Sequence, residues 1–195
     1  MITVYFEMFL YAIFIIFLYH SIRNRKSSTI NFFLPLFIFT FIAEELATSA
    51  FHGFEYPGYA IYILDVPLGI ICGWCSIVYL SFHLAKKIQI NSPTSFKISL
   101  FGALIGLGFD FILFEPAAKM WNLWVWNKPN VYFNASIENF ISWFLIIFLY
   151  INFYLFTENN IKNNRNKFLL SFAIIPIELI ILTLIIFLWK LTINL

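Results

Sequence analysis

Acidic residues at the ends of apolar segments are the residues of this sequence best suited to chemistry. Six of the ten Asp and Glu residues lie inside or beside such segments: Glu44, Glu45, Asp65, Asp110, Glu115 and Glu138. A carboxyl group in lipid costs several kcal/mol unless it has a partner or a function, so each one marks a possible functional site. A carboxyl group removed from water also favours its neutral form, which can donate a proton. The pattern indicates a membrane enzyme rather than a scaffold.

Six apolar runs must position these acids, and each is long enough to cross a membrane. The chain has 195 residues, of which 62% are hydrophobic and 26 are Phe, and a soluble domain of that length could not bury so much apolar surface. The runs cover about residues 2–20, 30–50, 66–85, 96–115, 136–156 and 168–190. No polar or Pro-rich linker divides them, so we expect residues 1–195 to form one all-α membrane bundle.

The distribution of Lys and Arg predicts how the bundle is oriented. Nine of the 12 basic residues lie in the first, third and fifth connections, and the other side holds only Lys119, Lys128 and Lys190. The positive-inside rule therefore places both termini outside a cell membrane and most of the acids near its outer face. Because the basic residues belong mostly to short loops, they do not indicate nucleic acid binding.

The second apolar run ends in a pair of acids, in the sequence FIAEELATSAF. Glu44 and Thr48 are four residues apart, and so are Glu45 and Ser49, so each acid has a hydroxyl group one helical turn away. Adjacent residues point about 100° apart on a helix, so at most one of the two acids is expected to face a given cavity. The alternative is that both acids only reach the headgroup region.

The fourth run carries two acids near its outer end. Gly102 and Gly106 form a small-xxx-small pair that is typical of close helix packing. Asp110 follows within the apolar run, where it is either a satisfied structural residue or a functional one. Pro116 disfavours helical geometry at Glu115, so we expect the helix to close at this point.

An aromatic segment follows and contains Trp121, Trp124 and Trp126, with Glu138, Asn139 and Trp143 a little further on. An interfacial aromatic belt would account for these residues without any function. Aromatic faces beside carboxylates could equally hold an apolar chain or stabilise a carbocation by cation–π attraction. From the residues alone, the two interpretations are equally good.

Other chemistry has little support in the sequence. Cys72 and Cys75 have the spacing of a redox dithiol but lie inside an apolar run, so two buried helical thiols are the better interpretation. A metal site would have to combine the single outer histidine, His52, with acids, a pattern that is not specific. There is no Gly-rich phosphate loop, and we expect neither a metal nor a cofactor.

Three stretches, in order, resemble the bisanhydrobacterioruberin hydratase (carotenoid 1,2-hydratase) family of membrane proteins over about residues 40–145. The first comprises Glu44 or Glu45, then Val66-Pro67 and Trp74. The second runs from Asp110 to Pro116 and matches a D-x-x-x-x-(E/D)-P element. The third comprises Trp124-x-Trp126, Tyr132 and Asn139-Phe140-x-x-Trp143.

The resemblance implies that water is added across the terminal isoprenoid double bond of a linear carotenoid, giving a tertiary alcohol. The expected partners are therefore this lipophilic substrate and the bilayer, and the oligomeric state stays open. We expect Asp110 to donate the proton, and Glu44 or Glu115, with Glu45 as a further candidate, to position water. The remaining expected site residues would bind the substrate or hold water: Trp74, Trp124, Trp126, Tyr132, Asn139 and Trp143.

Two other classes of function remain possible. One is a different enzyme that modifies isoprenoid lipids, although diphosphate-using transferases commonly need Asp-rich metal sites and basic phosphate contacts. The other is a carotenoid carrier or a small proton-coupled transporter, in which the intramembrane acids would serve protons or ions. An inverted-repeat transporter should have two related halves, and no such relation is visible in the sequence.

Overall fold

The structure is a computed structural model that describes residues 2–25, 28–88, 94–128 and 132–193. Its helices are α1 (Ile2–Arg25), α2 (Ser28–Glu45), α3 (Leu68–Ile88), α4 (Ser95–Phe109), α5 (Glu115–Trp121), α6 (Ile137–Asn160) and α7 (Asn164–Ile193). Two π-helical segments extend them, Leu46–Ala50 after α2 and Asp110–Phe114 between α4 and α5. Within these described ranges, six helical segments are long and apolar enough to span a membrane, so the predicted all-α bundle of six spans is confirmed.

The fourth span differs from its prediction. Pro116 does not close the helix, because the span continues through the π-helical segment and α5 to Trp121. Pro116 lies in the first turn of α5, where a missing N–H group and a fixed φ angle are tolerated. The irregularity lies one turn earlier, in the π-helical segment that begins at Asp110.

The core is aromatic and is centred on α2, α3 and α6. Phe32 of α2 packs edge-on against Tyr79 of α3 and against Tyr150 and Tyr154 of α6, and all four side chains are buried. Such edge-to-face pairs contribute about 0.5–1.5 kcal/mol each beyond the burial of their surface. α1 packs on one side of α3, and α4 packs on the other side.

Close packing at Gly102 and Gly106 confirms the prediction made for that pair. A Cβ atom at Gly102 would lie 2.6 Å from Cδ1 of Ile151, and one at Gly106 would lie 2.1 Å from Cδ1 of Ile147. Both isoleucines belong to α6, so the absent side chains let α4 approach α6 closely. The cysteine interpretation also holds, since Cys72 and Cys75 are free and buried.

Short strands link two connections, between α2 and α3 and between α5 and α6, which we call the outer connections after their predicted side of the membrane. β1 (Phe54–Glu55) pairs antiparallel with β4 (Val125–Trp126), and β2 (Tyr62–Ile63) pairs with β3 (Val66–Pro67). Glu7 of α1 anchors the connection between α2 and α3. Its carboxylate accepts hydrogen bonds from the backbone N–H groups of Ala60 and Ile61. The pairing of β1 with β4 places Trp126 opposite Phe54, at the outer end of the bundle.

Candidate functional site

Glu44, at the end of α2, is held by two hydrogen bonds. Its Oε1 accepts from the indole Nε1 of Trp74 at 2.5 Å, and its Oε2 accepts from the phenol of Tyr56 at 2.6 Å. The residue is 8% exposed. Because each oxygen receives one donor, the carboxyl group is fixed in one orientation, as a catalytic acid or base requires.

Tyr56 lies in the outer connection, and burial is the largest influence on its phenol. Burial raises the pKa of Tyr56 well above its ordinary value, and the neighbouring Glu44 carboxylate raises it further. The phenol therefore stays protonated at any physiological pH. It remains a hydrogen-bond donor to Glu44.

The π-helical segment brings Asp110 and Glu115 together. In an α-helix, residues five apart point about 140° away from each other. Here the Glu115 N–H bonds to the Asp110 carbonyl oxygen, five residues back, which closes a π-type turn. The carboxyl groups of both residues then reach the amide of Asn139.

Asn139 of α6 bridges the two acids. Its Nδ2 donates to Asp110 Oδ2 and to Glu115 Oε1, each at 3.0 Å. Glu115 Oε2 also accepts from Trp126 Nε1 at 3.1 Å. Asp110 Oδ1 is buried and has no hydrogen-bond partner within the described part of the chain. Asp110 is thus the least solvated acid of the cluster, and Glu115 is the better hydrogen-bonded one.

A cavity of about 60 Å³ lies between these groups. Glu44, Glu115 and Asn139 supply its polar wall, and the remaining lining is aromatic or aliphatic. The four indoles that line it belong to Trp74, Trp124, Trp126 and Trp143. Two of them, Trp74 and Trp143, lie with ring centroids 4.1 Å apart. The cavity can enclose the end of a hydrocarbon chain between carboxyl groups and electron-rich rings.

A second cavity, of about 450 Å³, adjoins the first. The residues common to both linings are Glu44, Phe54, Trp74, Trp126, Asn139 and Trp143. Its outer part is polar, since His52, Lys128, Glu138 and Lys190 line it. Glu44 and Asn139 therefore separate a small aromatic cavity from a larger cavity with a polar mouth.

Most of the predicted site residues meet in this place, namely Glu44, Glu115, Asn139, Trp74, Trp124, Trp126 and Trp143. Asp110 lies behind Asn139 and lines neither cavity. Tyr132 stacks on Phe111 at 4.0 Å and also lines neither.

The paired acids of α2 separate as their angular spacing predicts. Glu45 bonds to Ser49 and to the backbone N–H of Asp65, and it lines neither cavity. Of the two hydroxyl groups one turn away, that of Ser49 donates to the Glu45 carboxylate. The Thr48 hydroxyl instead donates to the Glu44 backbone oxygen, as Thr often does within a helix.

Sequence reasoning missed Tyr56 and Phe54, which line the small cavity from the outer connection. Irregular loops carry no periodic pattern, so the only available signal was the density of aromatic residues in FEYPGYAIY. Across the described ranges, no group of three or more His, Cys, Asp and Glu side chains is placed to hold a metal ion.

The six spans found among the described residues define a polytopic α-helical membrane protein, and a cluster of buried carboxyl groups lies at one end of the bundle. A family model described as "Carotenoid biosynthesis protein" matches residues 2–195. The chain therefore belongs to the carotenoid biosynthesis protein family, which gives it a role in making carotenoids. No curated protein and no solved structure matches it.

Proposed function

We propose that this protein hydrates the terminal isoprenoid double bond of a linear carotenoid, giving a tertiary alcohol. One observation carries the proposal: two carboxyl groups, those of Glu44 and Glu115, line a single indole-walled cavity. Addition of water to an alkene needs a proton donor, stabilisation of a tertiary cation, and a base that guides water. The cavity has groups suited to each of these tasks.

The proton comes from the acid pair that Asn139 holds together. No ion pair to Asp110 or Glu115 exists among the residues described, and two unpaired buried carboxylates would be strongly unfavourable. We therefore assign the pair one proton. Glu115 delivers it because Glu115, unlike Asp110, lines the cavity. The sequence predicted that Asp110 itself donates to the substrate. In this assignment Asp110 instead helps to keep Glu115 protonated, because the two acids share one proton.

Proton transfer to the less substituted alkene carbon breaks the π bond and leaves a positive charge on the tertiary carbon. Indole faces attract such a charge, by about 2 kcal/mol or more when water is excluded. Trp124 lines only the small cavity, and Trp143 lines both cavities. The aromatic cluster is thus assigned to the cation rather than to an interfacial belt.

Water enters from the larger cavity. Glu44 and Asn139 line both cavities, so a water molecule beside them can reach the cation. The water oxygen forms the new C–O bond, and Glu44 accepts the proton that this water loses. Glu44 then releases this proton to solvent, and the acid pair takes up one proton from solvent. Both bases are thereby restored, and the net reaction consumes one alkene and one water. Glu44 is suited to the role of base because Trp74 and Tyr56 stabilise its charged form.

Carboxylate-to-amide variants test the proposal, in membranes that contain an acyclic lycopene-type carotenoid. We expect Glu44→Gln and Glu115→Gln to lower the rate of water gain, measured by mass spectrometry, by about 100-fold or more. Glu45→Gln is the matched control, since Glu45 is adjacent in sequence but lines neither cavity. Equal activity in all three variants, or full activity in Asp110→Asn, would contradict the assignment.

A further inference from the structure

α3 presents one half-buried apolar stripe. Within residues 70–85, only four positions are neither buried nor exposed, namely Ile77, Leu80, His83 and Leu84. His83 packs against α1, since its ring centroid lies 5.5 Å from that of His20. The other three positions recur at spacings of three and four residues, so they lie along one face of the helix.

The neighbouring helices show that this face is a groove. Towards α1, a Cβ atom at Gly69 or Gly73 would meet Glu7 or Leu10. Towards α4, Ser81 Oγ would lie 3.2 Å from a Cβ atom at Gly106. At about 100° per residue, the stripe falls between His83, whose ring meets that of His20 in α1, and Ser81, which faces α4. It lies opposite Phe82, which stacks on Phe32 of α2. α1 and α4 therefore form the two sides of a groove, and the stripe forms its floor.

The groove is continuous with the small cavity. Ile70, Gly73 and Ile77 of α3 line that cavity, together with Phe6 and Leu10 of α1. From Ile70 to Leu84 the helix rises about 21 Å, which covers most of the hydrocarbon core of a bilayer. An apolar path thus leads from the carboxyl groups towards the opposite membrane face.

We propose that this groove, which we call the α3 groove, binds the rest of a linear polyisoprenoid chain whose terminal double bond lies in the small cavity. The inference rests on the proposed function and specifies how the substrate reaches the site from lipid. The cavity, at about 60 Å³, has room only for the chain end, so the remaining carbons must leave it along an apolar surface. The stripe is apolar and is sheltered on both sides, whereas α1 outside the groove faces lipid openly at Ile16 (61% exposed).

Bulky substitutions in the groove test this placement. Leu80→Trp and Leu84→Trp fill the floor at two depths, away from the residues that line the cavity. Ile16→Trp adds the same ring on the open face of α1 and is the matched control. Each variant is assayed with a long acyclic carotenoid and with a short acyclic isoprenoid that has the same terminal double bond.

We expect both groove variants to raise KM for the long carotenoid at least tenfold while kcat stays within twofold. The short isoprenoid and the Ile16→Trp control should behave as in the wild-type protein. Normal turnover of the short substrate also shows that the variants are folded. If both groove variants keep the wild-type KM for the long substrate, the proposal that the α3 groove binds the chain is wrong.

Binding separates this proposal from the proposed function. An achiral polyene held in a fixed orientation acquires circular dichroism in the visible region. If the wild-type protein hydrates neither substrate, the proposed function is wrong. The visible circular dichroism of the bound polyene then still tests whether the α3 groove binds the chain. The signal should persist in Ile16→Trp and disappear in Leu80→Trp and Leu84→Trp. An unchanged signal in both groove variants would overturn the inference.

Discussion

Replacing Trp74 by Phe isolates one hydrogen bond of the site. The indole Nε1 of Trp74 donates to Glu44 Oε1 at 2.5 Å, and its ring packs against that of Trp143 with centroids 4.1 Å apart. Phe keeps an aromatic ring in contact with Trp143 but removes the donor. One oxygen of a buried carboxyl group then loses its partner, while Tyr56 still holds the other.

The size of the effect follows from the chemistry of that bond. A hydrogen bond to a charged group contributes about 1.5–3 kcal/mol. If Glu44 acts as the base, this stabilisation of its charge and orientation is lost in the transition state. Since each 1.36 kcal/mol corresponds to a factor of ten in rate, we expect kcat for hydration to fall roughly 10- to 150-fold.

Trp143→Phe provides the matched control. Trp143 belongs to the same ring pair and lines the same cavities, but within the described ranges its side chain makes no hydrogen bond. Phe at position 143 still presents an aromatic face to the cation and removes no hydrogen bond, so kcat should fall less than in Trp74→Phe. A double-mutant cycle adds a second check, because Trp74→Phe should have little further effect once Glu44→Gln has been introduced. Equal effects of the two Phe variants, or full additivity with Glu44→Gln, would refute the role assigned to this bond.

Two further predictions concern stability. Glu7→Leu should lower the free energy of unfolding by about 1–3 kcal/mol, because the part-buried hydrogen bonds from the backbone N–H groups of Ala60 and Ile61 to the carboxylate are lost. Thermal unfolding in detergent measures this, with the exposed Met8→Leu as the control. Equal stability of the two variants would contradict the anchoring role of Glu7. Gly106→Ala should destabilise the packing of α4 against α6, because the new Cβ atom would lie 2.1 Å from Ile147 Cδ1. Adding Ile147→Val, which removes that Cδ1 atom, should restore part of the lost free energy of unfolding. Gly108→Ala is the control and should cost little stability, because a Cβ atom there has open space. Absence of rescue by Ile147→Val would contradict the proposed clash.

The different positions of Glu44 and Glu45 show how much of the site helix periodicity can predict. The angle between adjacent helical residues allowed only one of them to face a cavity. The structure places Glu44 in the cavity wall and Glu45 against the outer connection. Which of the two faces inwards depends on how α2 is rotated against α3, and that rotation is set by packing with distant residues.

The fourth span shows where local rules fail. Pro116 predicted a helix end, yet the Asp110–Phe114 π-helical segment carries the span past it. Local propensity is a weak guide when tertiary contacts oppose it. Here Asn139, from another helix, bonds to both acids that the π-type turn brings together, and nothing in the local sequence predicts this contact.

The amino-acid sequence by itself determined the class of protein, the six spans and the presence of acids and indoles near one end of the bundle. Those features depend on the length and polarity of single segments, which are local properties. Tertiary structure alone decided that Glu44, Glu115 and Asn139 share one wall, and that Asp110 lies behind it. Contacts between residues 24 to 30 positions apart fix that arrangement, and the packing that makes them is a property of the whole chain.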